Sequence, residues 1–225
     1  MLFILSILAS LAFVLLFTKI IKKYSVLFYL LATAIALFFM VYMTLGNIKI
    51  PEKIYTYVIR PLSQGTISTA LFSIVMWIGA LDRKNKVIKK LFSIRGEMSI
   101  IACILALSHN IYYGFIFLPT LFTNPMSMGA TYLSATITTI ILNILMIPLM
   151  ATSFITIRKR IKYPMWKKIQ RMAYVFYMLM YVHIMIVFVP NIGIGTSYVV
   201  NVVVYSVVFL GYAIVRVSKY IKEKR

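Results

Sequence analysis

Long apolar runs recur along nearly the whole of this chain, and they leave it one kind of fold. Seven are read, at residues 2 to 18, 25 to 45, 64 to 81, 97 to 118, 131 to 157, 168 to 190 and 197 to 217. At roughly 17 to 27 residues, each suits a helix crossing a hydrocarbon layer of about 30 Å. The runs are too long for tilted barrel strands and lack strict alternation. In lipid every backbone polar group has to be bonded internally, so helices are the spanning structure expected here. The expected fold is therefore all-α, a polytopic membrane bundle of about seven helices. No stretch between the runs is large enough for a soluble domain, and a hydrophobic share of 62% with a mean hydropathy of +0.95 fits a membrane chain.

The formal charge of +20 would suggest nucleic acid in a soluble protein. Here the positions of the charges point elsewhere. If the first run leaves the membrane inward, the inner segments hold all 24 Lys and Arg except Lys49, Lys53 and Arg60. That asymmetry predicts a multi-pass protein of the plasma membrane, N-terminus outside and C-terminus cytoplasmic, with the lipid bilayer rather than nucleic acid as its partner. The first run, MLFILSILASLAFVLLF, has no basic residue ahead of it, whereas a secretory signal carries its positive charge there. Residues 1–24 are accordingly read as an extra N-terminal anchor and 25–225 as the main transmembrane domain. The longest outer connection is 46 to 65. Pro119 and Pro125 follow the fourth run, Pro164 precedes the sixth, Pro190 closes it, and Pro148 is expected to kink the fifth. The single Cys103 has no intrachain partner and reads as a small buried hydrophobe.

Two ionisable side chains interrupt the apolar pattern: His109 in ILALSHNIYYGF and His183 in YMLMYVHIMIVF. A polar group in hydrocarbon is costly and is usually retained for a task. His109 follows Arg95 by fourteen residues and His183 follows Lys168 by fifteen. At 1.5 Å per residue both lie about 21 to 22 Å from the inner entry of their helices. Two imidazoles level on separate helices can each offer an axial nitrogen to the iron of a b-type haem. Ala102 and Ala106, on the face of His109, leave room for a flat macrocycle. The plainer reading is a neutral imidazole hydrogen-bonded to a Ser, Thr or Asn of the fifth run, such as Asn143. Both readings stand at this point.

Other chemistries have less to build on. The carboxylates are Glu52, Asp82, Glu97 and Glu223, none at membrane depth, which argues against a carboxylate proton relay or an acidic cation site. Glu97, beside Arg95 at a helix start, suits the helix dipole. No Gly-rich phosphate loop, zinc-ligand spacing, nucleophile elbow or triad is present.

The segment RGEMSIIACILALSH sets Arg95 and Glu97 at a helix start ahead of His109. Further on, Thr152 and Ser153 precede WKKIQRMAYVFYMLMYVH, which carries Trp166, Gln170, Arg171, Tyr174 and His183. In this spacing the chain resembles the ferric-reductase-like transmembrane domain family, over roughly residues 45 to 217. Within it, the chain is most similar to the haem b membrane subunit of the periplasmic methionine sulfoxide reductase system. The resemblance implies transmembrane electron transfer through haem b with His109 and His183 as axial ligands of its iron. Where the family has a further histidine near the inner surface this chain has Gln170, which implies one haem rather than two. The first run lies beyond the family's usual six-helix core.

Only about eight residues follow the last run. The donor is thus expected to be a separate reductase using flavin or nicotinamide, or a membrane quinol, and the acceptor an extracytoplasmic redox partner. Some 20 Å between haem and inner surface calls for another carrier. Arg95, Trp166, Gln170 and Arg171 are the candidate lining of an inner site for FMN or a quinone, where arginine can hold anionic groups. Trp166 and Arg171 equally suit anchors at the membrane interface. The competing class is a non-redox transporter or assembly factor whose histidines are buried hydrogen-bonding groups.

Overall fold

A computed structural model of the chain describes residues 2–46 and 49–224, the side chains of 223 and 224 excepted. The carboxylate of Glu223 and the charges of Lys224 and Arg225, counted above, lie outside this description.

The first two helices, α1 (Leu2–Lys23) and α2 (Ser25–Leu45), are separated by Tyr24 alone. Gly46, at φ 65°, turns the chain out of α2 and returns its N–H to the Tyr42 carbonyl, the usual left-handed end of a helix. Next come α3 (Glu52–Ser63) and α4 (Thr66–Ala80), which meet at a bend of 60°. Within α3 the residues Tyr55–Ile59 form a π turn, and Arg60 N bonds Tyr55 O. Pro61 accounts for it: the ring has no N–H and would clash with the carbonyl four residues back, and the wider turn relieves both problems. The remaining helices are α5 (Lys86–Phe92), α6 (Arg95–Thr123), α7 (Gly129–Ala151), α8 (Tyr163–Phe188) and α9 (Thr196–Lys224). Asn85 caps α5, its Oδ1 accepting from Val87 N at 2.8 Å, as short polar side chains do at helix starts.

Six of these helices are long and apolar enough to cross a membrane, or seven if the broken pair is one span. The expected multi-pass α-helical architecture holds, with corrections to its boundaries. The third run contains a helix of only 15 residues, about 22 Å long, and most of the connection at 46 to 65 is helix α3. The fourth helix continues through Pro119 to Thr123. The fifth stops at Ala151, not at 157. There the hydroxyls of Thr152 and Ser153 donate to Pro148 O and Leu149 O at 2.7 and 2.8 Å, taking up carbonyls that the helix no longer serves.

Helix α4 is the central element. It packs against α1, α5, α6, α8 and α9, and it is buried on nearly all sides, from Thr66 through Ala80. A helix enclosed by others needs no lipid-facing stripe, so its short length is tolerated. The surrounding helices turn large apolar side chains outward, for example Leu16, Leu30, Phe115, Ile144 and Val207. A contiguous outer surface of this kind is suited to lipid rather than water.

The basic segments gather at one end. Arg83 lies over the Phe92 ring at 3.7 Å, Arg158 over Trp166 at 4.3 Å and Arg216 over Tyr174 at 5.4 Å. Lys219 Nζ donates to Ala80 O at 3.2 Å, at the C-terminus of α4, where a cation is favoured by the helix dipole.

Candidate functional site

His109 faces the break between α3 and α4. Its Nδ1 lies 2.6 Å from Ser63 O. Ser63 ends α3, so its carbonyl has no helical partner and the imidazole N–H satisfies it. The chain turns at Gly65 with φ 64°, and a Cβ there would sit 3.5 Å from His109 Cγ. Glycine is required by the left-handed backbone. Its bare face is where the imidazole packs. With Nδ1 donating, Nε2 carries the lone pair, and among the described residues it has no hydrogen-bond partner.

His183 is arranged in the same sense from α7. Thr139 Oγ1 donates to Ala135 O at 2.9 Å, so toward His183 Nδ1, at 3.4 Å, it can only accept. The second imidazole therefore also has Nδ1 as donor and Nε2 unprotonated. The two rings are near enough to interact electrostatically. Histidines that ligate a metal commonly engage their other ring nitrogen in this way, which fixes tautomer and orientation. The donor set thus fits a group that takes one nitrogen from each of two helices.

Asn143, named from the sequence as a partner for histidine, instead accepts from Asn110 Nδ2 at 2.8 Å and donates to Thr139 O at 3.0 Å. The two asparagines tie α6 to α7 beside the histidine pair. Ala102 and Ala106 are both buried in helix packing. Tyr113 packs on the His109 ring, centroids 4.8 Å apart.

At the basic end the four other candidates divide. Arg95 lies over Gly79, where a Cβ would come within 3.4 Å of its Cζ. Arg95 and Gln170 line one cavity of about 40 Å³ together with Cys103, Met146, Phe176 and Tyr177. Thr152 holds two of the candidates: its Oγ1 accepts from Gln170 Nε2 at 2.9 Å and its carbonyl from Trp166 Nε1 at 3.1 Å. Trp166 is therefore a wall of the α7–α8 turn, capped by Arg158. Arg171 is exposed on the far side of α8 from these contacts.

Ser63, Gly65 and Thr139 were not singled out from the sequence, and Thr152 was named there only as part of the family pattern. A signal for the first two was present in RPLSQG, where proline and glycine punctuate an otherwise apolar stretch. Thr139 lies one helical turn from Asn143, on the same face.

The segment from Gln64 to Tyr181 matches the family model of the ferric reductase like transmembrane component, over residues 64–181, just over half of the chain. The match includes His109 and stops two residues short of His183. An uncharacterized protein of Treponema pallidum (strain Nichols) is 36% identical over 169 residues, which is 74% of this chain and 46% of that protein. The chain thus spans about half the length of the curated relative it matches. No solved structure gives a significant match. The matched region takes in α4, the Arg95–His109 segment, α7 and most of α8, and this multi-pass membrane chain belongs to the ferric reductase like transmembrane component family.

Proposed function

We propose that the chain is a membrane electron-transfer component in which His109 and His183 are the two axial ligands of one b-type haem. The observation that carries this reading is the shared tautomer. Ser63 O and Thr139 Oγ1 each hold an Nδ1, which leaves an Nε2 lone pair on each of two helices within the apolar layer. When bound, the haem would supply a one-electron carrier inside the hydrocarbon. Ser63 and Thr139 orient the rings and raise their donor strength. Gly65 lets the backbone turn against His109 without a side chain in the way.

The count of one rests on the basic end. A cavity of about 40 Å³ there has room for one or a few waters. Phe72 and Phe176, in edge contact at 5.1 Å, fill the space beside it. Electrons would enter at Arg95 and Gln170 from a cytosolic flavin or nicotinamide reductase, through FMN or a quinone, or from membrane quinol. They would leave to an extracytoplasmic partner, with the N-terminus outside the plasma membrane. The closer likeness to the haem b subunit of the methionine sulfoxide reductase system is part of the same proposal.

A second reading has its own observation. His109 satisfies the Ser63 carbonyl at a helix break, a sufficient reason for a polar residue in a non-redox transporter or assembly factor. The substitution His109→Asn separates the two, because its amide can still donate to Ser63 O but cannot serve as a haem ligand. Protein expressed with ample haem should show a strong Soret band and sharp reduced bands of low-spin haem, and His109→Asn should remain folded but colourless. A colourless parent protein, or a spectrum unchanged in His109→Asn or His183→Ala, refutes the pairing.

A further inference from the structure

At the end of the bundle opposite the basic loops, a cavity of about 630 Å³ opens among α1, α3, α4, α8 and α9. Ligand sites commonly measure about 300–1,000 Å³. Most of its walls lie outside residues 64–181, and neither the histidine pair nor the Arg95 end lines it.

The floor of the cavity is closed. Phe3 of α1 stacks on Tyr205 of α9 with centroids 4.0 Å apart and planes at 19°, and both side chains are buried. Phe188 packs on the same Tyr205 ring at 5.8 Å. These rings are in contact, and no ligand lies between them. The stack also fixes a level. The start of α1 stands beside Tyr205, whereas α9 extends back a further eight residues to Ser197, about 12 Å along its axis. The cavity is the notch beyond Leu2 and Phe3, lined by Ser197, Tyr198 and Asn201 of α9 and by Tyr57 and Arg60 of α3 with Gln64 just after it.

The notch is divided by polarity. Those six side chains carry hydroxyl, amide and guanidinium groups, and none of these groups has a hydrogen bond or ion pair among the described residues. Lower down, Leu5 and Leu8 line the cavity and are exposed on the outside of α1, where the surroundings are hydrocarbon. The lining holds one cation, Arg60, and no carboxylate. Arg60 is also one of the three basic residues set at this end, Lys49, Lys53 and Arg60, against the trend of the chain.

A polar rim with one unpaired positive charge, above an apolar strip open to lipid, matches an amphiphile with one negative charge. A guanidinium pairs with phosphate oxygens through two parallel N–H donors. A zwitterionic headgroup would bring an ammonium with no carboxylate to meet it. Headgroup hydroxyls, by contrast, can bond the amides and hydroxyls of the rim.

We propose that the notch binds one anionic phospholipid with a polyol headgroup, of the phosphatidylglycerol type, from the leaflet opposite the basic loops. Its phosphate sits on Arg60, its headgroup hydroxyls bond Ser197 and Asn201, and its acyl chains run past Leu5 and Leu8. The lipid joins α1, α3 and α9 where α1 is otherwise held to the top of α4 by the Ser6 and Thr66 hydroxyls, 3.2 Å apart. Binding does not depend on haem.

The full chain, delipidated in a neutral detergent and titrated with dioleoylphosphatidylglycerol, tests this by native mass spectrometry and thermal unfolding. One lipid per chain should bind about tenfold more tightly than dioleoylphosphatidylcholine and raise the unfolding midpoint, as a ligand of the folded state does. Arg60→Gln should weaken phosphatidylglycerol binding about tenfold and Asn201→Leu severalfold, through loss of the hydrogen bonds they make. Lys53→Gln removes a cation at the same end but outside the notch, and should change binding by less than about twofold. Arg60 is exposed, so the lipid-free midpoint of Arg60→Gln should match that of the parent. Glycerophosphoglycerol, the same headgroup without acyl chains, should not displace the lipid at matched concentration. Equal affinity for the two lipids, equal effects of Arg60→Gln and Lys53→Gln, or displacement by the chainless headgroup overturns the proposal.

Discussion

His109 has two ring nitrogens, and the helix break at Ser63 uses one of them. That division makes a structural and a redox role compatible, and substitutions can take them apart. His109→Leu leaves the Ser63 carbonyl unsatisfied and should cost about 1–3 kcal/mol, seen as a lower unfolding midpoint, whereas His109→Asn should stay near the parent value. Thr139→Val removes the acceptor for His183 Nδ1. Under the proposed ligation it should weaken haem retention by about 10–100-fold, measured by haem transfer to a competing apo-protein; unchanged retention would remove Thr139 from the site. Gln170→His should not raise the haem-to-protein ratio, because the neighbouring cavity of about 40 Å³ is walled by Phe176 and Tyr177. A ratio of two in that variant would show that the basic end opens far more readily than its packing indicates. The histidines themselves were legible in the sequence, since an ionisable group stands out in an apolar run. Their partners were not. Ser63 is chosen through its backbone carbonyl, which no side-chain pattern reveals, and Thr139 is one of several threonines on α7.

Helix boundaries follow the same logic one level up. Apolar patterning started the third run at residue 64, beside the break between α3 and α4, but read 46 to 65 as a connection and so missed the helix over Glu52–Ser63. The break is made by backbone chemistry: Pro61 widens the preceding turn, and Gly65 takes φ 64°. Gly65→Ala should destabilise the protein by about 1–2 kcal/mol, the cost of a left-handed residue with a Cβ. The added methyl meets His109 Cγ at an ordinary 3.5 Å, so haem content should fall less than stability. Thermal unfolding and the Soret-to-protein ratio of the same sample check both statements, and an unchanged midpoint would mean that the turn tolerates a side chain. The end of α7 was misplaced for a related reason: residues 155 to 157 are apolar enough to continue a helix, but Thr152 and Ser153 turn back onto Pro148 and Leu149.

For the whole molecule, the charge asymmetry predicts an orientation that direct labelling can read. Cys103 is buried at 2% exposure, so background labelling should be low. Lys53→Cys should react with a membrane-impermeant thiol reagent on intact cells and Lys86→Cys only after permeabilisation; the opposite pattern would invert the bundle. The sequence alone determined that the chain is an α-helical membrane bundle, because lipid leaves an apolar segment of this length no other way to bond its backbone. It also picked out the two histidines, by their cost in hydrocarbon. Tertiary structure decided what those residues touch. It turned Arg171 outward and set Arg95 and Gln170 on one small cavity. It made α4 a short, enclosed centre, and it brought α1, α3 and α9 together around a cavity near His109. Depth along a helix can be counted from sequence, but the direction of a side chain around the axis and the partner awaiting it depend on how separate helices pack.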